Sequence, residues 1–375
     1  MVYIVDKHNC CGCTACVQVC PKMCISFPED EEGFRYPYVD KETCIDCGLC
    51  ENVCPVLNQT EPKKPLNVYA AINPNEEIRM KSSSGGIFTI LAEKVINEGG
   101  VVFGARFDEN WEVMHDFTKT IEGLEVFRGS KYLQSRIGET YKQAREFLRA
   151  GFKVLYTGTS CQILGLKMFL RKEYDNLLTV DIVCHGVPSP KIWKSYLQDI
   201  NSMNQKITYI NLRAKIRGWK RYSYLIKAGD NVLYDDYAAN SMYLKGFMSN
   251  VFLRPSCYKC PAKEGRSNSD ITLADNWGYW DIKPENFDDM GVSAVMVNTN
   301  KGNEFLNKLS IKLQQYSIEA FIASNLSYKK SMESPKYRSF FWQEFPKLGF
   351  NVITIINKKM QPSIIRRIIS KFSDF

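Results

Sequence analysis

No stretch of this chain approaches the roughly 20 consecutive apolar residues that a membrane-spanning helix needs. Its opening, MVYIVDKHNCCGC, lacks the basic patch and apolar core of a secretory leader. The expectation is a protein of the reducing cytoplasm. Histidine is scarce, with three in 375 residues, and no nucleic-acid-binding motif accompanies the net charge of +8. Hydrophobic residues at 45% and charged residues at 24% exclude a chain dominated by disorder, and mean hydropathy of -0.28 agrees. The length is enough for a full-sized core and suggests two or three domains.

Charge is unevenly placed. Residues 1–60 carry a net -5, residues 329–375 carry +7 and the middle carries +6. An acidic front beside a basic body speaks to docking and to separately evolved parts rather than to fold.

Cysteine is what the chain has in excess. Ten of the fourteen fall within residues 10–54, at metal-ligand rather than disulfide spacing. Cys10, Cys13, Cys16 and Cys20, followed by Pro21, form C-x2-C-x2-C-x3-C-P, and Cys44, Cys47, Cys50, Cys54 and Pro55 repeat it. Three cysteines at intervals of three wrap one cubane, while the fourth leads away and ligates the other cluster. The predicted sets are therefore Cys10, Cys13, Cys16 and Cys54 for one 4Fe–4S cluster, and Cys44, Cys47, Cys50 and Cys20 for the second. Gly12, Gly48 and the small Ala15 relieve crowding around the sulfide. Cys11 and Cys24 read as flanking residues, and zinc is the alternative occupant of the main set.

The polar, proline-containing stretch NQTEPKKPLN at 58–67 marks a linker at 59–67 behind a ferredoxin domain at 1–58. Beyond it, Ser82-Ser83-Ser84-Gly85-Gly86 precedes a helical pattern with Ile87, Ile90, Leu91 and Val95 on one face, ended by Gly99-Gly100. Such a turn at a helix N-terminus suits phosphate, although serine-rich N-caps also occur without a ligand. Gly129-Ser130-Lys131-Tyr132-Leu133-Gln134-Ser135 adds a cation, a ring and polar donors, with surface decoration as the plain alternative.

A strand at 153–157, a helix from Gln162 to Arg171 and a strand at 177–183 make a β–α–β unit. Right-handed crossover puts Cys161 and Cys184 at the carboxyl ends of its strands, the edge where open α/β sheets bind ligands. Cys257 and Cys260 form a further C-x2-C pair. These four thiolates are enough for a third 4Fe–4S cluster, with zinc or a reactive or structural thiol as alternatives. His185 beside them is a weak candidate for proton relay or a hydrogen-bonded structural histidine. Residues 269–278 read as loop, strand, loop, with acidic residues able to face a ligand.

Together SSSGGIFT, GSKYLQS, GTSCQILGLK, CHGVPSP, RPSCYKCP and SDITLADNWG, in order between residues 68 and 285, resemble the beta-subunit family of coenzyme F420 hydrogenases and dehydrogenases. Ser160 stands where that family carries proline. The resemblance implies FAD in an α/β core beside a 4Fe–4S cluster. Its flavin candidates are Ser83, Ser84, Gly85, Gly86, Lys131, Tyr132, Gln134 and Ser135. It does not show F420 to be the substrate. The expected architecture is α+β or α/β and multidomain: a two-cluster ferredoxin fold, then a mixed-sheet α/β flavin-binding core in two parts, 68–148 and 149–328, and a basic tail at 329–375. The expected function is an iron–sulfur flavoprotein oxidoreductase passing electrons between a ferredoxin-type carrier and, through FAD, a two-electron substrate. A non-catalytic electron-transfer subunit of a larger redox complex is the alternative, and a redox-sensing binding protein the third reading. In the tail, Ile364, Ile365, Ile368, Ile369 and Phe372 would share one helical face opposite Arg366, Arg367 and Lys371. Such a face can meet an anionic membrane, a partner or the protein's own core.

Overall fold

The computed structural model describes residues 2–360 apart from 284, 286 and 287. In the N-terminal module, strands β1 (Ile25–Ser26) and β2 (Tyr38–Val39) pair antiparallel between the two cysteine motifs. Each motif runs into a short helix, Ala15–Val19 or Leu49–Asn52, entered through a left-handed residue: Thr14 at φ 60° and Gly48 at φ 71°. Gly12, at φ 74°, has a second constraint, because a Cβ there would lie 2.4 Å from Gln134 Nε2 and 3.0 Å from the Arg254 guanidinium.

The core supplies β3 (Asn67–Ala71), β4 (Val101–Phe107), β5 (Val113–Thr118), β6 (Val154–Thr159) and β7 (Leu177–Ile182). Strands β8 (Tyr209–Ala214), β9 (Ser223–Ala228) and β10 (Asn231–Tyr237) then form a separate antiparallel sheet. The chain returns with β11 (Ile271–Asp275), β12 (Ser293–Val297) and β13 (Leu313–Gln315) to complete a mixed eight-stranded sheet ordered β13-β3-β12-β11-β7-β6-β4-β5. Its centre, β4-β6-β7-β11, is parallel and both flanks are antiparallel. The apolar runs of β6 and β7 suit a parallel centre covered on both faces, and they pair from Val154 with Leu177 to Thr159 with Ile182. The helix between them, Ser160–Leu170, makes the expected crossover.

Alternation along the strands assigns the two faces. Val102 and Leu155 pack with Ile87, Leu91 and Val95 of the Ile87–Asn97 helix on one side. Val101, Phe103, Val154 and Tyr156 pack on the other with Tyr141, Ala144, Ile163 and Phe169, and that cluster continues into Cys11, Cys13, Ala15 and Val53. The N-terminal module is thus an extension of the core's own packing. Its linker also runs bound to the core, with Thr60 Oγ1 donating to the carbonyl of Arg266 and Lys63 N to that of Glu264.

Residues 329–360 differ from the expected tail. Helices Arg338–Leu348 and Asn351–Met360 bury Phe341, Phe345, Val352, Ile353 and Ile356 against Trp193, Tyr243 and Phe252. Arg338 pairs with Glu32 of the N-terminal module. The apolar face at 364–372 lies outside the described residues. Among the described residues no helix is long and apolar enough to cross a membrane.

Module and core approach closely at Gly165, where an added Cβ would stand 2.7 Å from Cys13 Cβ and 3.0 Å from Tyr141 Oη. Gly165→Ala should therefore destabilise the docked module by about 1–3 kcal/mol, as overpacking does. The measurement is thermal unfolding with iron release, and a midpoint and iron content equal to wild type would contradict this packing.

Candidate functional site

All fourteen cysteines line three cavities. One, of about 20 Å³, is lined by Cys10, Cys13, Cys16 and Cys54, with Cys11 beside them. Another, also of about 20 Å³, is lined by Cys20, Cys44, Cys47 and Cys50, with Cys24 beside them. Cys54 thus lies with the first three cysteines of the first motif, and Cys20 with those of the second. Cys24 Sγ lies 3.4 Å from Cys20 Sγ.

The third cavity, of about 40 Å³, brings together Cys161, Cys184, Cys257 and Cys260, and adds Cys11 from the N-terminal module. Cys161 arrives on the first turn of the Ser160–Leu170 helix, capped at Thr159 N by Gln162 Oε1 at 2.9 Å. Ser160 takes the first helical position, where proline's chief merit is a preset φ, so its departure from proline leaves the cysteine in place. Cys184 follows β7. Cys257 and Cys260 stand on the 3-10 turn Pro255–Lys259 and its end.

Enclosure by protein raises the thiol pKa of Cys184, to about 12, and of Cys260, to about 11, and neighbouring thiolates add to the rise in both. Cys161 is raised too, first by its hydrogen bond with Cys11. Two thiolates at 4 Å repel by about 4 kcal/mol at an effective dielectric near 20, so four ionised together need a cationic core between them. Among the described residues no three His, Cys, Asp or Glu groups sit closely enough for a single metal ion. That holds equally for the eight cysteines of the paired motifs, whereas four thiolates around one zinc ion would be gathered within about 4 Å of one another. The core thiols line a cavity with at least the room found at either N-terminal site.

His185 lines the same cavity, but its Nε2 is 2.7 Å from Asn250 Oδ1 and its ring packs edge-on to Phe247. Burial lowers its pKa. It is held as a neutral, hydrogen-bonded histidine.

A larger cavity, of about 280 Å³, shares Thr159, Val183 and Val187 with the core cysteine cavity. It opens at the carboxyl ends of β6 and β7 and is lined by Ser83, Ser84, Gly86, Lys131 and Ser135. Three other residues proposed from sequence lie elsewhere. Gly85 donates its N–H to Ser293 Oγ at 3.0 Å. Tyr132 packs against Phe247 and Tyr224, and Gln134 accepts from Arg254. The serine hydroxyls are engaged as well: Ser83 Oγ accepts from Ser130 N at 2.7 Å, and Ser84 Oγ donates to the carbonyl of Val292 at 2.8 Å. Serine thus shapes the turn, which leads into the first-turn backbone N–H groups of the Ile87–Asn97 helix, a terminus that suits an anion. Gly86, at φ 82°, turns the chain into that helix.

Lys131 Nζ reaches the carbonyls of Val126, Arg128 and Gly129 at 2.9, 2.8 and 3.1 Å. Burial pushes its pKa down to about 7, while three acceptors require the three hydrogens of an ammonium. Asp275, at the end of β11, lines the cavity opposite and is paired with buried Arg213 at 2.9 Å.

A fifth cavity, of about 410 Å³, lies in the seam between module and core, with Gly12, Thr14 and Arg35 on one side and Gln134, Arg136 and Thr140 on the other. It shares Val113, His115 and Ser135 with the 280 Å³ cavity. His115 and Arg213 escaped the sequence reading, which took Cys11 only as a flanking residue and Arg254 only as part of the RPSCYKCP motif.

Residues 9–58 match the family of 4Fe-4S dicluster domains. Residues 151–320 match the family described as the C terminus of the coenzyme F420 hydrogenase/dehydrogenase beta subunit. No curated protein matches the sequence. Among solved structures, a chain of the F420-reducing [NiFe] hydrogenase complex from Methanosarcina barkeri, studied by xenon derivatization, is 20% identical. The match covers 69% of this chain and 84% of that one, with a TM-score of 0.46.

His115 makes a pH prediction. Its Nε2 lies 3.1 Å from the carbonyl of Thr157 and so carries the proton, leaving Nδ1 to accept from Ser135 Oγ at 2.7 Å. Burial lowers its pKa from 6.5 to about 4. Above pH 6.5 the ring is neutral in both folded and unfolded chains. As pH falls from about 6.5 to about 4, the unfolded chain takes up a proton that the folded chain refuses, and stability declines. The loss reaches about 3 kcal/mol at 1.36 kcal/mol per pKa unit. Denaturant unfolding between pH 7 and 4 should show that decline in wild type and a shallower one in His115→Gln. Identical slopes would mean that His115 is not held neutral.

Proposed function

We propose that this chain, in which a 4Fe-4S dicluster domain precedes a domain matching the C terminus of coenzyme F420 hydrogenase/dehydrogenase beta subunits, is an iron–sulfur flavoprotein oxidoreductase. It would pass electrons between a ferredoxin-type carrier and a two-electron organic substrate. The observation that carries this reading is the abutment of cavities. Cys11 lines both the first dicluster site and the core cysteine cavity, and Thr159, Val183 and Val187 line both the core cavity and the 280 Å³ cavity.

In this reading Cys161, Cys184, Cys257 and Cys260 hold a third 4Fe–4S cluster, and the 280 Å³ cavity holds FAD. A bound flavin exchanges two electrons as hydride and passes them singly, whereas each cluster carries one. The Ile87–Asn97 helix N-terminus would bind its diphosphate, with Lys131, whose Nζ is held by three carbonyls, contributing charge rather than a hydrogen bond. Ser83, Ser84 and Gly86 shape that turn, and Ser135 lines the wall that the cavity shares with the seam. The two-electron substrate, F420 or another organic molecule, would enter by the seam cavity. The thiol-rich design calls for a reducing compartment such as the cytoplasm.

A second reading, a non-catalytic subunit of a redox complex, draws on the surface around the second dicluster site. Met23, Tyr38 and Ile45 are exposed there by 81%, 67% and 58%, beside an exposed Cys47. Such a patch suits a redox partner protein, and in either reading it is the entry for electrons.

Anaerobically purified protein should contain about twelve iron atoms and twelve labile sulfides per chain, falling to about eight in Cys184→Ser, and acid should release FAD rather than FMN. About eight iron atoms in wild type would remove the core cluster. F420H2, NAD(P)H and reduced ferredoxin, tested separately, should include one that reduces the flavin; if none does, the stand-alone enzyme is excluded and the subunit reading stands.

A further inference from the structure

Arg254 is completely buried at the meeting of three segments. Its Nε donates to the carbonyl of Cys10 at 2.7 Å, its Nη2 to the carbonyl of Arg35 at 2.9 Å and its Nη1 to Gln134 Oε1 at 2.9 Å. Nη2 also lies 3.4 Å from Cys10 Sγ, one of the donors at the first dicluster site. The guanidinium rests on the Tyr36 ring, 4.3 Å from its centroid.

Buried Arg79 and Arg213 and half-buried Arg338 pair with Asp288, Asp275 and Glu32. The groups that Arg254 contacts include no carboxylate. A buried charge without a counter-ion is costly, and the negative charge that Arg254 does face is that of the cysteine ligands. Cluster potentials respond to net charge and to hydrogen bonds on sulfur, and a buried cation is screened less than one in water.

The second dicluster site is built otherwise. Lys22 and Asp46, of opposite sign, line it, and Cys47 is exposed. Sulfurs at both sites take backbone N–H groups, Val2 N to Cys50 Sγ at 3.3 Å and Asp46 N to Cys44 Sγ at 3.4 Å at the second and Ala15 and Val17 to Cys13 and Cys16 at the first, so the guanidinium is the difference.

We propose that Arg254 sets the potential of the cluster held by Cys10, Cys13, Cys16 and Cys54, its fixed charge favouring the reduced form and making this the more easily reduced of the two dicluster centres. The electron is then held beside Cys11 and the core cavity rather than at the exposed second site. The inference rests on the dicluster reading of residues 9–58, whose failure would appear as fewer than about eight iron atoms per chain and not as a misplaced potential.

The test is potentiometric titration of the full-length, anaerobically purified protein, followed by EPR. Cys47→Ser marks the second dicluster centre and Cys184→Ser the core centre, which identifies the first by remainder. In wild type the first centre should titrate above the second. Arg254→Gln should lower the first centre's reduced-to-oxidised ratio at fixed potential at least tenfold, 59 mV for one electron, with the second unmoved. Arg254→Lys, which keeps the charge, should recover most of that shift. A first centre at or below the second in wild type, an iron-replete Arg254→Gln with no shift, or Arg254→Lys shifting as far as Arg254→Gln would each overturn the proposal. Should Arg254→Gln fail to retain iron, the wild-type order and Arg254→Lys still decide it.

Discussion

Thiolates repel one another where water is excluded, and this chain gathers all fourteen of its cysteines, only Cys47 of them exposed, around three cavities. Much of the architecture follows from having to neutralise that charge. Cluster cores supply the largest share at the dicluster sites. Protein supplies the rest through the unpaired guanidinium of Arg254 beside Cys10 and through Lys263, whose charge opposes the rise in pKa at Cys184 and Cys260. The same guanidinium binds the Cys10 loop, the Arg35 segment and Gln134 into one joint, so charge compensation and domain docking are a single feature.

Docking in turn decides which cavities touch. One face of the central sheet runs into Cys11, Cys13 and Ala15 without a break, and Gly165 lets Cys13 come close against the Ser160–Leu170 helix. Cys11 then reaches the core cysteines, and the N-terminus of that helix stands between the core cysteines and the larger cavity. A module hung on a free linker could not hold such an arrangement, which is why Thr60 and Lys63 of the linker are themselves bonded to the core.

Legibility in the sequence followed the range of the interaction. The paired cysteine motifs, the Ile87–Asn97 helix and the β–α–β unit at Cys161 and Cys184 were readable because ligand spacing, helical period and apolar runs are local. The exchange of Cys20 and Cys54 was readable because the duplication carries it. Gly85, Tyr132 and Gln134 were placed with the flavin candidates by neighbourhood in sequence, but alternate residues of such a loop point different ways, and only Lys131 and Ser135 of those four loop candidates face the cavity. Residues 329–360 read as a basic tail because their charge is plain, whereas the burial of Phe341, Phe345 and Ile353 needs partners about a hundred residues or more away.

The sequence by itself determined the donors and their number: two four-cysteine motifs with their prolines, four further thiols, and a small-residue turn before a helix. Those follow from residue type and spacing, which local chemistry constrains. Only the tertiary structure decided that Cys11 joins the core thiols, that Arg254 faces Cys10 with no carboxylate beside it, and that His115 and Ser135 form the wall between two cavities. Each of these joins segments well apart along the chain, 20 residues for His115 and Ser135 and 244 for Cys10 and Arg254, where packing of the whole core, and no pattern along the chain, sets the distance.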